Sequence, residues 1–351
     1  MTDTLNWGIV STGNIAGAFA SALPHAQHGR LAAVASRSAD RAAEFADKHG
    51  ADRSHGSYED LFADDDVDAV YIATPHPWHA ELAILAAEAG KHVLCEKPAA
   101  LNRFDTMAAI EAARRAGIIY MEAFMYRCNP QTVRLAELLK EEPIGTVRMI
   151  EASFGFRGGN NPESRLMNNA LGGGGILDVG CYPVSLSRLI AGAVDGERFA
   201  DPTDVQAVGV LGETNVDEYT AAVLKFDNGI VAEVATAIRV NLANTATIYG
   251  TDGRIVIPSP WTGGGREGGT GVIEVYRSGE KEEITVECGW LYAHEADTFA
   301  AAVADGEVPA PAMSPEDTIG NMTVLDEWRE AIGLTYEDER VENLTRPVHG
   351  R

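Results

Sequence analysis

The stretch LNWGIVSTGNIA, residues 5–16, passes from an apolar run into small residues and then into a helical pattern. Strand, tight turn and helix in that order form the first unit of a parallel α/β sheet. The turn Ser11-Thr12-Gly13-Asn14-Ile15-Ala16 follows the spacing G-x-G-x-x-G/A, with Ser11 in the first glycine's place and Ala16 in the third. Gly13 would let the backbone approach a pyrophosphate, and the N-terminus of the following helix would face its negative charge. Ser11, Thr12, Gly13, Asn14 and Ile15 are therefore candidates for holding a dinucleotide.

The alternation continues through LAAVAS at 31–36, a polar helix closed by Gly50, VDAVYIAT at 67–74, the helix WHAELAILAAEAG and the strand KHVLCEK. A helix over 103–117 and IYMEAF complete it, which predicts a doubly wound parallel sheet of the Rossmann type. The second strand ends on Ala35-Ser36-Arg37-Ser38 rather than on an acidic residue. An arginine between two hydroxyls suits the 2′-phosphate of NADP, which a guanidinium can bind bidentately. The alternative, NAD, would leave Arg37 solvated and give the ribose to Asp40.

From about residue 145 the pattern changes. TVRMIEASFGFRG, DVQAVGVLG, YTAAVLKFDNGIVAEVATAI, NTATIYGTDGRIVIP and GVIEVYRSGEKEEITV read as strands, with turns at Asp227-Asn228-Gly229 and Gly250-Thr251-Asp252-Gly253. The expected fold is α/β. A dinucleotide-binding domain would span 1–126 and an α+β domain with a mainly antiparallel sheet 127–314. Helices are expected at 293–305 and 315–332, the latter with an apolar period fit to pack back on the first domain.

With 52 acidic against 28 basic residues and a net charge of −24, wholesale binding to nucleic acid or anionic lipid is not expected. No apolar run near 18 residues and no basic, apolar leader is found, so neither a membrane span nor a secretory signal is expected. Cys95, Cys128, Cys181 and Cys288 lack any CxxC or Cys/His spacing, which argues against a metal site and for reduced thiols in a cytoplasm. The apolar run of KHVLCEKPAAL at 91–101 ends on Glu96-Lys97-Pro98, placing charge at the carboxyl edge of the sheet, where open α/β folds hold ligands. In GGGGILDVGCYP, Asp178 and Tyr182 stand at i and i+4 of a glycine-led helix, a carboxylate and a phenol suited to acid/base work.

Taken with their order, WGIVSTGNIA, ASRSADRA, Thr74-Pro75-His76-Pro77-Trp78-His79, AGKHVLCEKP, MEAFMYRCNP, GGGGILDVGCYP and LDEWREAIGL resemble the Gfo/Idh/MocA oxidoreductase family nearly end to end. The dimeric dihydrodiol dehydrogenase and NADP-dependent D-xylose dehydrogenase branch is the most similar. The resemblance implies that 1–126 is a Rossmann domain and 127–314 a substrate-binding and oligomerisation domain whose sheet is open. It also implies hydride transfer between a nicotinamide and a sugar or polyol carbon, with Lys97, Asp178 and Tyr182 as catalytic residues. Tyr182 stands where many relatives have histidine. Lys97 would lower the Tyr182 pKa and hold the substrate oxygen, with Asp178 positioning lysine or substrate. Thr74, Pro75, His76, His79 and Glu96 are implied near the nicotinamide, and Arg127, Phe156, Arg165 and Tyr292 around the substrate. Two further readings stand beside this one: a keto-sugar reductase such as a 1,5-anhydrofructose reductase, and a regulator that binds dinucleotide without turnover. A homodimer or homotetramer is expected, because an open sheet face needs cover.

Overall fold

The computed structural model describes residues 4–339. Its first sheet contains β1 (Leu5–Val10), β2 (Gly29–Ala35), β3 (Arg53–His55), β4 (Ala69–Ile72), β5 (His92–Glu96) and β6 (Tyr120–Ala123). Their order is β3-β2-β1-β4-β5-β6 and every pair is parallel. The order reverses between β1 and β4, which opens a crevice at the carboxyl ends of the strands. Five helices connect them: α1 (Asn14–Ala22), α2 (Ala39–His49), α3 (Tyr58–Phe62), α4 (His79–Glu88) and α5 (Arg103–Ala116). β3 and α3 are too short to show a period in the sequence.

Local chemistry sets the helix ends. Ser38 Oγ accepts the Arg41 N–H to start α2, and Gly50 closes it in the left-handed region. Asn102 Oδ1 accepts the N–H groups of Phe104 and Asp105 at the start of α5. By contrast, no side chain caps α1.

The second sheet follows α6 (Pro130–Lys140), a helix the sequence reading did not identify. Its strands are β7 (Val147–Gly155), β8 (Pro202–Leu211), β9 (Asp217–Phe226), β10 (Val231–Ala237), β11 (Ala246–Gly250), β12 (Gly253–Ile257), β13 (Gly269–Arg277) and β14 (Glu280–Cys288). The order is β14-β13-β12-β11-β7-β10-β9-β8, antiparallel throughout except for the β7–β10 pair. α6 and α7 (Cys181–Ala193) cover one face of this sheet. The run 169–193 is long and apolar enough to cross a membrane, contrary to the sequence reading, but its whole apolar window is buried inside the protein.

The two sheets share one core. Trp7, Phe19 and Leu94 belong to the same buried cluster as Ile150, Leu224 and Ile248 of the second sheet. Two late helices bridge them. α8 (Leu291–Asp305) packs on α1 and β2, while α9 (Pro315–Ala331) lies between α5 and β6 on one side and α7 and β8 on the other.

At this junction the Asp317 carboxylate takes Arg127 Nη2 on one oxygen at 2.7 Å and Arg188 Nη1 on the other. Arg127 also donates to the Pro311 carbonyl at 2.6 Å and to Ser185 Oγ at 2.9 Å. Each of its three nitrogens is thus engaged inside the core. Arg127 does not reach substrate: a buried charge needs its partners, and here all of them are structural.

Candidate active site

The crevice at the carboxyl ends of β1, β4 and β5 forms a cleft of about 680 Å³ between the two sheets. Ser11, Gly13, Asn14 and Ile15 line one end, Thr74, Pro75, His76, Glu96 and Lys97 the middle, and Phe156, Arg165, Asp178, Tyr182 and Tyr292 the far wall. Thr12 borders an adjoining cavity that shares Gly13 and Asn14 with the cleft. Most of the residues singled out in the sequence therefore meet around one void.

The turn after β1 fits a dinucleotide's diphosphate. Ser11, in the first glycine's place, has φ 99°, a left-handed conformation that costs a non-glycine residue roughly 1–2 kcal/mol. Gly13 has an ordinary φ of −75°, so its backbone does not demand glycine. A Cβ there would meet nothing nearer than Ser11 Oγ at 3.8 Å and would instead fill space on the cleft side. With α1 uncapped, its first N–H groups are left for an anion.

At the end of β2, Ser36 Oγ accepts the Ser38 N–H at 3.3 Å, and each serine hydroxyl keeps its own hydrogen to donate. Arg37 is exposed, its guanidinium 5.8 Å from the centroid of the Trp78 ring. This set fits a ribose phosphate rather than a ribose hydroxyl. Arg37→Ala is expected to lower the ratio of kcat/KM for NADP over NAD by roughly 10–100-fold, read by steady-state assays with both cofactors.

Lys97 leaves the sheet immediately after β5. Its Nζ donates to the Asp178 carbonyl at 2.6 Å, stands 3.9 Å from Asp178 Oδ1 and lies 5.2 Å from the Tyr182 ring centroid. Two of its three hydrogens remain for a ligand oxygen. Asp178 Oδ1 also pairs with Arg165 Nη2 at 2.9 Å, and Arg165 Nη1 lies 3.4 Å from His76 Nε2. Asp178 sits in a π turn, Ile176–Gly180, that precedes α7, so the regular helix expected over Asp178 and Tyr182 begins only at Cys181. Such widened turns recur at functional sites.

Tyr182 is buried in an aromatic cage. Phe124 and Phe154 meet its ring edge-on at 5.2 Å, and Trp261, stacked on Phe154, lies 5.7 Å away. Its hydroxyl donates only to the Met125 thioether, at 3.3 Å, a weak acceptor. Burial, with Cys181 and Glu96 adding to it, pushes the phenol well above its ordinary pKa. The expectation that Lys97 lowers it is thereby corrected: the ammonium lies over the ring and burial wins.

His79, like Arg127, does not line the cleft. It is wholly buried, with Nδ1 2.8 Å from the Pro98 carbonyl and Nε2 2.7 Å from the Thr74 carbonyl. It ties the loop after β4 to the loop after β5, a structural role instead of cofactor contact. Glu96 is bonded by the Tyr71 hydroxyl, and burial raises its pKa.

Behind Lys97, Glu122 Oε1 accepts the Ala99 N–H at 2.9 Å and holds the Pro98-Ala99 turn. Burial pushes its carboxyl from 4.5 up to about 8. The unfolded chain then releases this proton before the folded one does, so the wild type loses stability as pH rises between those values. Glu122→Gln has no proton to lose and keeps the acceptor. Its stability relative to wild type is expected to rise from pH 4.5 to about 8 and level off above, measured by urea unfolding.

The sequence reading missed Phe154, Trp261, Thr262 and Arg266, all of which line the cleft. The signal was present in WTGGGREGG at 261–269, where a glycine-rich run marks a close backbone path. Among the described residues, no three His, Cys, Asp or Glu side chains are grouped to hold a metal.

Residues 5–124 match the model of the oxidoreductase family with an NAD-binding Rossmann fold, and residues 132–256 match the Gfo/Idh/MocA C-terminal domain. The chain is 34% identical to trans-1,2-dihydrobenzene-1,2-diol dehydrogenase of Mus musculus, over 96% of this chain and 99% of that one. It is also 34% identical to D-xylose 1-dehydrogenase (NADP(+)) 2 of Haloferax volcanii, over 91% and 95%. Among solved structures it is similar to the 3-ketoreductase KijD10 of Actinomadura kijaniata in complex with NADP, with 29% identity, a TM-score of 0.84 and coverage of 94% and 98%. The matches span both sheets and the cleft between them, and the chain belongs to the Gfo/Idh/MocA family of dinucleotide-dependent oxidoreductases.

Proposed function

We propose that this protein is an NADP-dependent oxidoreductase acting on a carbinol or carbonyl carbon of a sugar or polyol, with Lys97 and Tyr182 handling the oxygen and its proton. The observation that carries the reading is the pair itself: an ammonium with two free hydrogens and a weakly held phenol proton facing one cleft. NADP, when bound, supplies or accepts the hydride. The D-xylose dehydrogenase and ketoreductase relatives, each named with NADP, support that cofactor.

During reduction, the Lys97 ammonium stabilises negative charge developing on the carbonyl oxygen, and Tyr182 delivers its proton to that atom. Oxidation runs the same transfer backward, from the substrate hydroxyl to the tyrosine oxygen. The Asp178 carbonyl holds Lys97 at 2.6 Å, and Arg165 fixes the Asp178 carboxylate at 2.9 Å. The Phe154–Trp261 face suits the C–H side of a sugar, and Arg165 and Thr262 its hydroxyls.

A neutral phenol is the proton donor that reduction needs, and the same site run backward oxidises, so dehydrogenase and keto-sugar reductase are two directions of one reading. A panel of aldoses, keto sugars and diols with NADP+ or NADPH, followed at the nicotinamide absorbance, tests the assignment. Turnover of at least one sugar or polyol with NADP preferred supports it. Absence of turnover across the panel, with NADPH still bound, favours a non-catalytic regulator.

The outer face of the second sheet carries Val208 (77% exposed), Val210, Tyr219 and Val223, with Val210 opposite Tyr219. Such a patch favours association with a second copy, giving a homodimer or homotetramer, to be read by sedimentation equilibrium. The four buried, unpaired cysteines favour a cytoplasmic setting.

A further inference from the structure

Arg266 has no role in the proton transfer just described, yet it stands where both cavities meet. It lines the cleft with Lys97 and also the adjoining cavity of about 400 Å³ bordered by Thr12, Gly13 and Asn14. Gly13, Asn14 and Tyr292 border both as well. The arginine comes from the second domain, whereas the helix start opposite it belongs to the first.

The loop that carries it is fixed while the side chain is free. Trp261 Nε1 donates to the Ser153 carbonyl at 3.1 Å, Asn129 Nδ2 to the Gly263 carbonyl at 3.2 Å, and the Leu291 N–H to the Arg266 carbonyl at 3.0 Å. Gly265 and Gly268 bracket Arg266-Glu267 with φ of 100° and 104°, a tight reversal that presents the arginine at its tip. Among the described residues, no ion pair or hydrogen bond engages the guanidinium. By comparison, Arg165 is paired with Asp178. In a chain with 52 acidic residues against 28 basic ones, an unpaired guanidinium at a cleft wall is a cation available to an anion from outside. Its charge is felt within the site, where it opposes the upward push of burial on the Tyr292 phenol.

We propose that Arg266 binds the diphosphate of the dinucleotide from the second domain, across the void from the N-terminus of α1. This rests on the NADP-dependent reading above. A guanidinium can donate two parallel hydrogen bonds to phosphate oxygens, complementing the backbone N–H groups at Gly13 and Asn14. The cofactor is then held by both domains, and its affinity depends on the loop 261–269 as well as on the first β-α turn.

The test is equilibrium binding, read by quenching of tryptophan fluorescence on the full chain, with NADPH and with 2′-AMP, which has the 2′-phosphate but no diphosphate. Arg266→Gln is expected to raise the NADPH Kd about tenfold or more and to leave the 2′-AMP Kd unchanged. Arg266→Lys, which keeps the charge but not the fork, is expected to fall between. Because the side chain is exposed, the thermal midpoint should not move. An unchanged NADPH Kd overturns the proposal, and if the sugar KM rises instead, Arg266 reads substrate. Equal weakening of NADPH and 2′-AMP overturns it too, placing the arginine at the ribose phosphate. A wild-type chain that binds no NADPH sinks both this proposal and the functional reading, an outcome distinct from the others.

Discussion

Replacing Lys97 by methionine is expected to lower kcat by roughly 10²–10⁴-fold, the range over which positioned proton-handling groups act, with NADPH affinity within a few-fold of wild type. Methionine matches the length of the stem but cannot donate to the Asp178 carbonyl 2.6 Å away or stabilise charge on a substrate oxygen. Tyr182→Phe is the paired test, since the ring stays in its aromatic cage and only the hydroxyl on Met125 is lost. A similar loss is expected, and the double variant should be little worse than either single one, because the two groups serve one proton transfer. The pH profile adds a signature. A phenol held well above its usual pKa stays protonated through neutral pH, so the reductive rate should show no fall from Tyr182 ionisation until strongly alkaline pH. Near-normal turnover in both single variants would refute the assignment.

Asp317→Ala is expected to destabilise the fold by roughly 3–5 kcal/mol, the cost of leaving buried charges without their partner. Two guanidiniums, those of Arg127 and Arg188, converge on this one carboxylate, and both are almost fully buried. Arg188 retains Asp201 at 2.6 Å, whereas Arg127 keeps only neutral acceptors. Urea unfolding should show a lower midpoint with an unchanged slope. A midpoint shift worth less than about 1 kcal/mol would mean that water reaches the site and replaces the carboxylate.

Much of the first domain was legible because its signals are local. The β1 turn, the Gly50 helix end and the apolar strands each declare themselves within a few residues, and the hairpins of the second sheet do so through their turn residues. The lining of the cleft was legible where the chain ends a strand on charge, as at Glu96-Lys97. Electrostatic sign was not. Whether an ammonium meets a phenol at its oxygen or over its ring depends on packing from several separate elements, and the sequence contains no record of that angle. The fate of Arg127 and His79 was hidden for the same reason: a polar residue near a motif serves either the ligand or the scaffold, and only its partners decide. Arg266 was not legible because nothing local in WTGGGREGG marks which side of the fold its glycine turn faces.

The continuous core has a consequence for how this chain can be recombined. Since α8 closes over α1 and β2, and α9 is wedged between the two sheets, the polypeptide leaves the first sheet near residue 126 but returns to it at 291–331. A chimera built by exchanging everything after residue 126 would replace the helices that seal the nucleotide half, exposing Trp7 and Phe19 to a foreign surface. The transplantable cassette is instead the interior segment carrying the second sheet, inserted between two fixed flanks. Shuffling of sugar specificity in this architecture therefore behaves as an insertion rather than a fusion.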